Sequence, residues 1–398
     1  MVRIDARAPG AGATGRLSLA AASVGFGQSA VLALVPVAAE RTGLDAVAMG
    51  GVAFAGAVAF LVCAPAWGNA GIGWRLRRLF AALAALMALG HGLFALALTV
   101  PALPVAGALV LLVASRIAYG AGAAGVMPHA QAAVLGSVAE TARPAALGRL
   151  GAGLSAGRIL GSLAMGVGVF GTAVPLVALA ASPLLLLAAP DLPGVSPGAR
   201  PAGAHRGRVL RAAAPLMGIG FALTLGLGQI QIVLGLFLQQ RYGLDAAGAA
   251  GLAGATFALV AVTMILTQLV LVPRLGPNLR SNLRVGLAGF AAGAGVIACA
   301  PAAWVAVLGT VVVGAGIALA TPHYTAALVA RVPGYAQAAA AGWLASVHVL
   351  GQGIGALCGG AAFRIAPALP FWICAALGLA LIVAAARLRP GDPRHPVA

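Results

Sequence analysis

Two arginines lie in the middle of long apolar, glycine-rich segments of this chain. Arg116 occurs in LVASRIAYGAGAAG (112–125), and Arg158 occurs in LGRLGAGLSAGRILGSLAMG (147–166). A guanidinium at mid-bilayer costs about 2.5–3.5 kcal/mol, so it normally faces a bundle interior or a water-filled cavity. Its planar fork of donors suits carboxylates and phosphates. We therefore expect an anionic ligand at these arginines; the alternative is a structural role at helix-end carbonyls.

Acidic residues are few, and none falls inside an apolar segment long enough to span a membrane. Proton coupling usually requires a titratable group within the membrane pathway. Glu40, at the outer end of the first such segment, is the carboxylate closest to a helix interior. It is a coupling candidate, with an exposed partner of Arg41 as the alternative. The seven acidic residues are Asp5, Glu40, Asp45, Glu140, Asp191, Asp245 and Asp392.

Histidines are the other titratable candidates, because their ordinary pKa lies near physiological pH. His348 lies deep in an apolar segment and is a second coupling candidate; His91 also lies in such a segment. His129 and His323 each follow a proline in two similar segments, and we expect the helix break to position both near a membrane interface. Arg116 is predicted to combine a structural role with one in coupling.

Composition defines the class of protein. Of 398 residues, 62% are hydrophobic and 8% are charged, whereas soluble domains carry about 25% charged residues. The chain is therefore an integral membrane protein, and its net charge of +17, with all the basic side chains arginine, indicates cytoplasmic loops and excludes nucleic-acid binding. The four cysteines are scattered, so neither a metal site nor a disulfide is expected. The first apolar segment is expected to be retained as a span.

Twelve apolar segments are long enough to cross about 30 Å of hydrocarbon. They predict an all-α membrane protein with twelve transmembrane helices. With the N-terminus inside, 19 of the 24 arginines lie on the cytoplasmic side and three lie outside, so both termini are predicted to be cytoplasmic. The segments are 17–38, 47–67, 79–100, 104–128, 150–170, 175–190, 212–238, 247–272, 285–302, 304–328, 338–360 and 368–386.

The two halves of the chain repeat one another in the same order. ERTGLDA (40–46) matches QRYGLDA (240–246), and GAGAAGVMPHAQAAVL (120–135) matches GAGIALATPHYTAALV (314–329). SAGRILG (155–161) pairs with SVHVLG (346–351) on the same basis. Six spans duplicated in one orientation predict two bundles related by an axis along the membrane normal. The predicted regions are an N-terminal bundle (1–190), a cytoplasmic linker (191–211) and a C-terminal bundle (212–398).

These features resemble the major facilitator superfamily, and in particular its twelve-span drug- and metabolite-efflux branch. RIAYGAG (116–122) is similar to the arginine-glycine motif of the family's fourth span, and Gly157, Gly161 and Gly166 match the glycines of its fifth-span export motif. Ser162 stands where that motif prefers proline. WRLRR (74–78) occupies the basic loop between spans two and three, but the acidic residue expected before its arginines is absent.

The resemblance implies secondary active transport of a small molecule by alternating access, driven by a proton gradient and without a bound cofactor. Combined with the embedded arginines, it predicts an exporter of an anionic metabolite, for example a polycarboxylate siderophore, working as a monomer in the bacterial cytoplasmic membrane. The resemblance also places polar side chains from several spans along the cavity. These are Gln28, Arg116, Arg158, Gln229, Gln231, Gln268, Tyr324, His348 and Gln352.

Two alternatives remain at this level. The first keeps the fold and reverses the direction, which gives an uptake permease. The second is a membrane sensor that does not transport, built on a transporter scaffold. An enzyme is not expected, because no cluster of nucleophile, base or metal ligands is visible, and ATP-driven transport is not expected without a phosphate-binding loop.

Overall fold

The computed structural model describes residues 11–70, 73–138, 143–164, 173–193, 206–275, 278–332 and 337–387. Within these ranges the chain is almost entirely helical, as a hydrocarbon environment requires of a backbone whose polar groups must pair internally. Its α-helices are α1 (Ala11–Ala33), α2 (Val35–Thr42), α3 (Ala46–Ala70), α4 (Leu76–Thr99), α5 (Val105–Ser137), α6 (Arg143–Ala164), α7 (Ala173–Ala181), α8 (Arg206–Tyr242), α9 (Ala246–Leu266), α10 (Leu279–Cys299), α11 (Ala303–Ala330), α12 (Gln337–Ile365) and α13 (Leu369–Ala386).

These helices account for the predicted spans. Among the described residues, nine helices are long and apolar enough to cross a membrane, and the pair α1 and α2 forms a tenth span bent by 54°. The two others are α6, which carries three arginines, and the short α7, which continues as a 3₁₀ turn over Ser182–Ala188. The all-α fold with twelve helical spans is thus the architecture predicted from the sequence.

The bend between α1 and α2 has a local cause. Pro36 is the second residue of α2, and it has no N–H to donate to the carbonyl of Leu32. The span therefore breaks at Leu34. A second irregularity follows α9, where the chain makes a π turn over Thr267–Leu271 and a 3₁₀ turn over Val272–Arg274.

The described residues form two compact units. The N-terminal unit lies within Met1–Gly43 and Ala55–Ala199, and the C-terminal unit lies within Leu44–Phe54 and Arg200–Ala398. The boundary near residue 200 falls inside the predicted linker, and α8 begins within that segment, at Arg206. In the first unit α1 packs mainly on α6 and α4 on α5; in the second, α8 packs on α12 and α10 on α11. The repeated sequence therefore folds into repeated packing.

Glycines allow the α1–α6 contact to be close. Gly153, Gly157 and Gly161 follow one face of α6 at four-residue spacing, opposite the carbonyls of Ser18, Ala22 and Phe26 respectively. A Cβ atom at any of the three would overlap the facing backbone. Small residues of this kind let membrane helices approach each other. Gly166, the last glycine of the predicted export motif, lies outside the described residues.

The C-terminal unit repeats this arrangement and corrects one pairing of the repeats. Gly351 and Gly355 of α12 face the carbonyls of Phe221 and Leu225 on α8, as Gly157 and Gly161 face α1. GRILG (157–161) therefore corresponds to GQGIG (351–355), with the same offset of 194 residues as the proline-histidine segments. Arg158 thus corresponds to Gln352, and this alignment replaces the pairing of SAGRILG with SVHVLG.

The repeated segments ERTGLDA and QRYGLDA end one helix and begin the next. Gly43 and Gly243 have φ angles of 69° and 68°, a left-handed conformation that glycine adopts without steric cost. Two residues later, the Oδ1 atoms of Asp45 and Asp245 accept backbone N–H groups at 2.9 Å as N-caps. This repeat is a structural turn signal.

Candidate functional site

The N-terminal unit brings the two embedded arginines to one tyrosine-centred cluster. The Cζ atom of Arg116 lies 4.5 Å from the ring centroid of Tyr119, a cation–π distance. The Tyr119 hydroxyl donates to the Val24 carbonyl at 2.8 Å, and Arg158 Nη2 donates to Gln28 Oε1 at 3.4 Å. Residues of α1, α5 and α6 therefore hold the two cations. We call Arg116, Tyr119, Arg158 and Gln28 the arginine cluster.

The arginine cluster contains no carboxylate from the part of the chain that the structure describes. The ion pairs found among the described residues join Arg75 to Asp191 and Arg364 to Asp45, and neither includes an arginine of the cluster. Arg116 is half-buried and Arg158 is exposed. Their two positive charges are thus not neutralised by any described side chain.

His91 joins this cluster, although the sequence names it only as a titratable residue and not as a site residue. Its ring centroid lies 4.9 Å from that of Tyr119, and the side chain is 1% exposed. Neither ring nitrogen has a hydrogen-bond partner within the described chain. A Cβ atom at Gly27 would lie 2.7 Å from His91 Nε2, so α1 leaves space for this ring only because residue 27 is glycine.

The C-terminal unit has a cluster of amides and aromatic groups. Gln352 Nε2 donates to Gln231 Oε1 at 2.7 Å, which joins α12 to α8. Tyr324 Oη and His348 Nε2 are 2.9 Å apart and share a hydrogen bond between α11 and α12. These four residues are all predicted to line a cavity, and the structure brings them into two bonded pairs, which we call the amide cluster.

Two predicted site residues lie elsewhere in the C-terminal unit. Gln229 is 1% exposed, packs against Gly359, and both its amide atoms lack partners among the described residues. Gln268 is exposed in the π turn, at a cavity of about 700 Å³ in this unit. The remaining lining residues of that cavity are Val272, Thr321, Pro322, Thr325, Ala326, Val329 and Ala330.

The other titratable candidates lie outside both clusters. Glu40 is exposed in the last turn of α2. His129 Nδ1 lies 2.7 Å from the Gly125 carbonyl, and His323 Nδ1 lies 2.7 Å from the Leu319 carbonyl. A nitrogen this close to a carbonyl must carry the proton, so each ring bonds its own helix one turn back. Asp5, Glu140 and Asp392 lie outside the described residues.

The carboxylate absent from the loop before α4 is supplied by a distant part of the chain. Arg75 Nε donates to Asp191 Oδ1 at 2.6 Å, and the Leu76 N–H donates to the Leu192 carbonyl at 2.9 Å. The hydrogen bond from Arg75, together with the nearby charges of Arg77 and Arg78, holds the pKa of Asp191 below its usual range. The start of the predicted linker is thus bonded to the basic loop.

The fold and the two clusters define a polytopic helical membrane protein with duplicated units, each carrying buried polar groups. The sequence matches the Major Facilitator Superfamily over residues 17–347. The chain belongs to this superfamily of membrane transporters.

Solved transporter structures share the fold. A D-xylose-proton symporter superposes with a TM-score of 0.78 and 14% identity, covering 96% of this chain and 98% of that one. The nucleoside transporter NupG gives 0.65 and 13%, with 94% and 99% covered. The human organic anion transporter MFSD10 gives 0.64 and 17%, with 95% and 99% covered.

Likeness at this level of identity concerns the fold alone, and the named cargoes of these three proteins differ. No curated protein matches the sequence. These structures therefore do not define the substrate of this chain.

Proposed function

We propose that this protein transports a small anionic metabolite across the bacterial cytoplasmic membrane by alternating access, with the proton gradient as its energy source. One observation carries the proposal: Arg116 and Arg158 lie at one cluster, and no described carboxylate pairs with either. Two unneutralised guanidinium groups inside a membrane protein favour an anionic ligand and repel a cationic one.

The amide cluster supports the same proposal in a different way. Gln231, Gln352, Tyr324 and His348 offer neutral donors and acceptors, which suit the hydroxyl, amide or carbonyl groups of a polar molecule. A multifunctional carboxylate, such as a polycarboxylate siderophore, has both kinds of group. We propose that the protein works as a monomer with both termini in the cytoplasm, as the distribution of arginines indicates.

Export is the direction that the fifth-span glycines support, because Gly157 and Gly161 follow the efflux branch in the sequence. Uptake is the second candidate, and the composition of the arginine cluster favours it. The cluster offers His91 as a proton acceptor and no described carboxylate. A proton and an anionic substrate therefore do not compete there for one negatively charged site, as an exchange mechanism would require.

Ligand binding to purified protein in nanodiscs tests the charge preference. The panel contains citrate, a tricarboxylate siderophore, an organic cation and a neutral sugar. Wild-type protein should bind an anion, Arg158→Gln should lose that binding, and Arg78→Gln, an exposed variant in the first turn of α4, should retain it. Tight binding of the cation that persists in Arg158→Gln would contradict the proposal.

A further inference from the structure

We propose that His91 is a proton-binding site whose occupancy rises when an anion binds at the arginine cluster. This inference rests on the proposed anion binding. The residues concerned are His91 on α4, Tyr119 and Arg116 on α5, and Arg158 on α6.

His91 has the geometry of an unused proton site. It is 1% exposed, and both ring nitrogens are without a partner among the described residues. Buried polar groups in proteins are nearly always hydrogen-bonded, to protein or to ordered water, and an exception calls for an explanation. His129, which is equally buried, has its Nδ1 atom bonded to the Gly125 carbonyl. Of these two buried histidines, only His91 has no hydrogen bond from the described chain to its ring.

The His91 ring also lies close to Arg116. Tyr119 contacts His91 at 4.9 Å between ring centroids and Arg116 Cζ at 4.5 Å from its own centroid. These distances together limit the separation of Arg116 Cζ and the His91 ring to about 9.4 Å. Charges at this range interact strongly in the interior of a protein, where screening by water and salt is weak.

The elements packed on α4 determine which charges act on His91. Arg116, Tyr119 and Ser115 lie on α5, and the described α7 and its 3₁₀ turn have no ionisable side chain. On α2, Glu40 and Arg41 are exposed at the last turn. α1 presents Gly27 to the ring, next to Gln28, which bonds Arg158. The cation that acts on His91 is thus Arg116, on the far side of Tyr119.

The sign of the coupling follows from these charges. With no anion at the cluster, the burial of His91 and, to a smaller extent, the nearby charge of Arg116 oppose a positive charge on the ring, which stays neutral. An anion bound to Arg116 cancels the field of that charge, so protonation becomes more favourable. By linkage, protonation of His91 must then strengthen anion binding by the same factor. Proton and anion would bind together, which predicts cotransport and favours the uptake candidate over exchange.

Proton uptake during anion binding tests this directly. Full-length protein in nanodiscs is titrated with citrate or the tricarboxylate siderophore, by calorimetry in two buffers of different ionisation enthalpy. Proton counts and affinities are corrected for the ionisation of the ligand's own carboxyl groups, which is measured without protein. Wild-type protein should take up a proton as the anion binds, and its anion affinity should rise about tenfold from pH 8 to pH 5, within the roughly 5–150-fold range usual for coupled sites. His91→Gln should bind the anion with no proton uptake and a flat pH profile.

The controls separate the possible failures. His323→Gln, outside both clusters, should behave as wild type. Anion binding that is lost in Arg158→Gln, but proceeds without proton uptake in wild type, would overturn the coupling and leave the proposed function standing. No anion binding at any pH would overturn both. Proton uptake that persists in His91→Gln and disappears in His348→Gln would place the site in the amide cluster and refute the assignment. Where His91→Gln does not fold, absence of proton uptake in wild type, or its loss in His348→Gln, would still refute the proposal.

Discussion

The arginine cluster and the amide cluster occupy corresponding parts of two repeated units, yet their chemistry differs. In the N-terminal unit, α6 bonds α1 through Arg158 and Gln28; in the C-terminal unit, α12 bonds α8 through Gln352 and Gln231. The helices and their glycine contacts occur in both units, while the charge occurs in one. The duplicated helices therefore pack in the same way in both units, while their side chains make one cluster cationic and the other neutral.

The largest predicted effect tests this division. Arg116→Gln should weaken anion binding at least about thirtyfold, since removing one member of a close charge pair typically costs about 2–5 kcal/mol. Gln231→Ala, in the amide cluster, should weaken it about threefold, because hydrogen bonds between membrane helices average about 0.6 kcal/mol. Dissociation constants measured by calorimetry at one salt concentration compare the two. Equal losses of affinity in the two variants would show that anion binding does not depend mainly on the arginine cluster.

The next effect concerns the space beside each cluster. In Gly27→Ala the added methyl group would lie 2.7 Å from His91 Nε2 and 2.9 Å from Tyr119 Cε2. Overpacking of this kind typically costs about 1–3 kcal/mol. Because Tyr119 also contacts Arg116, Gly27→Ala should lower both the melting temperature and the anion affinity.

Gly226→Ala is the matched control for that variant. Its methyl group would press on Phe290, which belongs to neither cluster. The melting temperature should fall by a similar amount while anion affinity stays within about twofold of wild type. A loss of affinity in Gly226→Ala as large as that in Gly27→Ala would mean that general destabilisation, rather than displacement of the arginine cluster, explains the result.

How much of the molecule is visible in the sequence depends on the range of the interactions. The twelve spans follow from hydropathy, a property of contiguous residues, and the bend before Pro36 has a local cause as well. Arg116 can be found because a charge in an apolar segment needs no partner to be noticed. His91 is not singled out because its importance comes from Gly27 and Tyr119, which lie far from it in the chain.

The pairing of SAGRILG with SVHVLG is replaced for a related reason. Short glycine- and alanine-rich segments can be aligned with several offsets, and the side chains alone do not choose between them. The backbone contacts of Gly157 and Gly351, taken with the 194-residue offset of the proline-histidine segments, favour one offset, because a helix can approach closely only where glycines face it. The same difficulty applies to Gln229, whose burial depends on Gly359 in another helix.

A smaller effect is expected from the two tyrosine hydroxyls. Tyr324→Phe removes the hydrogen bond to His348, and Tyr119→Phe removes the one to the Val24 carbonyl. Each should reduce unfolding stability by about 0.5–1.5 kcal/mol. Tyr119→Phe keeps the ring beside Arg116, so its anion affinity should remain within about twofold of wild type. A tenfold loss of affinity would indicate that the hydroxyl, rather than the ring, positions Arg116.

The smallest effect concerns the loops that precede α4 and α10. In the N-terminal unit Arg75 pairs with Asp191, whereas in the C-terminal unit Arg274 Nη1 donates to the Val270 carbonyl of its own helical segment at 2.9 Å. Asp191→Asn should therefore lower the melting temperature slightly at pH 7. Arg274→Gln should leave the pH dependence of the melting temperature unchanged.

The pH dependence of this pair follows from the lowered pKa of Asp191, whose hydrogen bond from Arg75 favours the charged form. The contribution to stability is complete above the unfolded-state pKa of about 3.9 and is lost as the pH falls through the lower folded-state value. Melting temperatures of wild type and Asp191→Asn should differ at pH 7 and converge below that window. Both side chains are largely exposed, so the difference should also shrink at high salt. A gap that is unchanged by acid and by salt would show that Asp191 acts through its backbone contacts with the basic loop, and not through its charge.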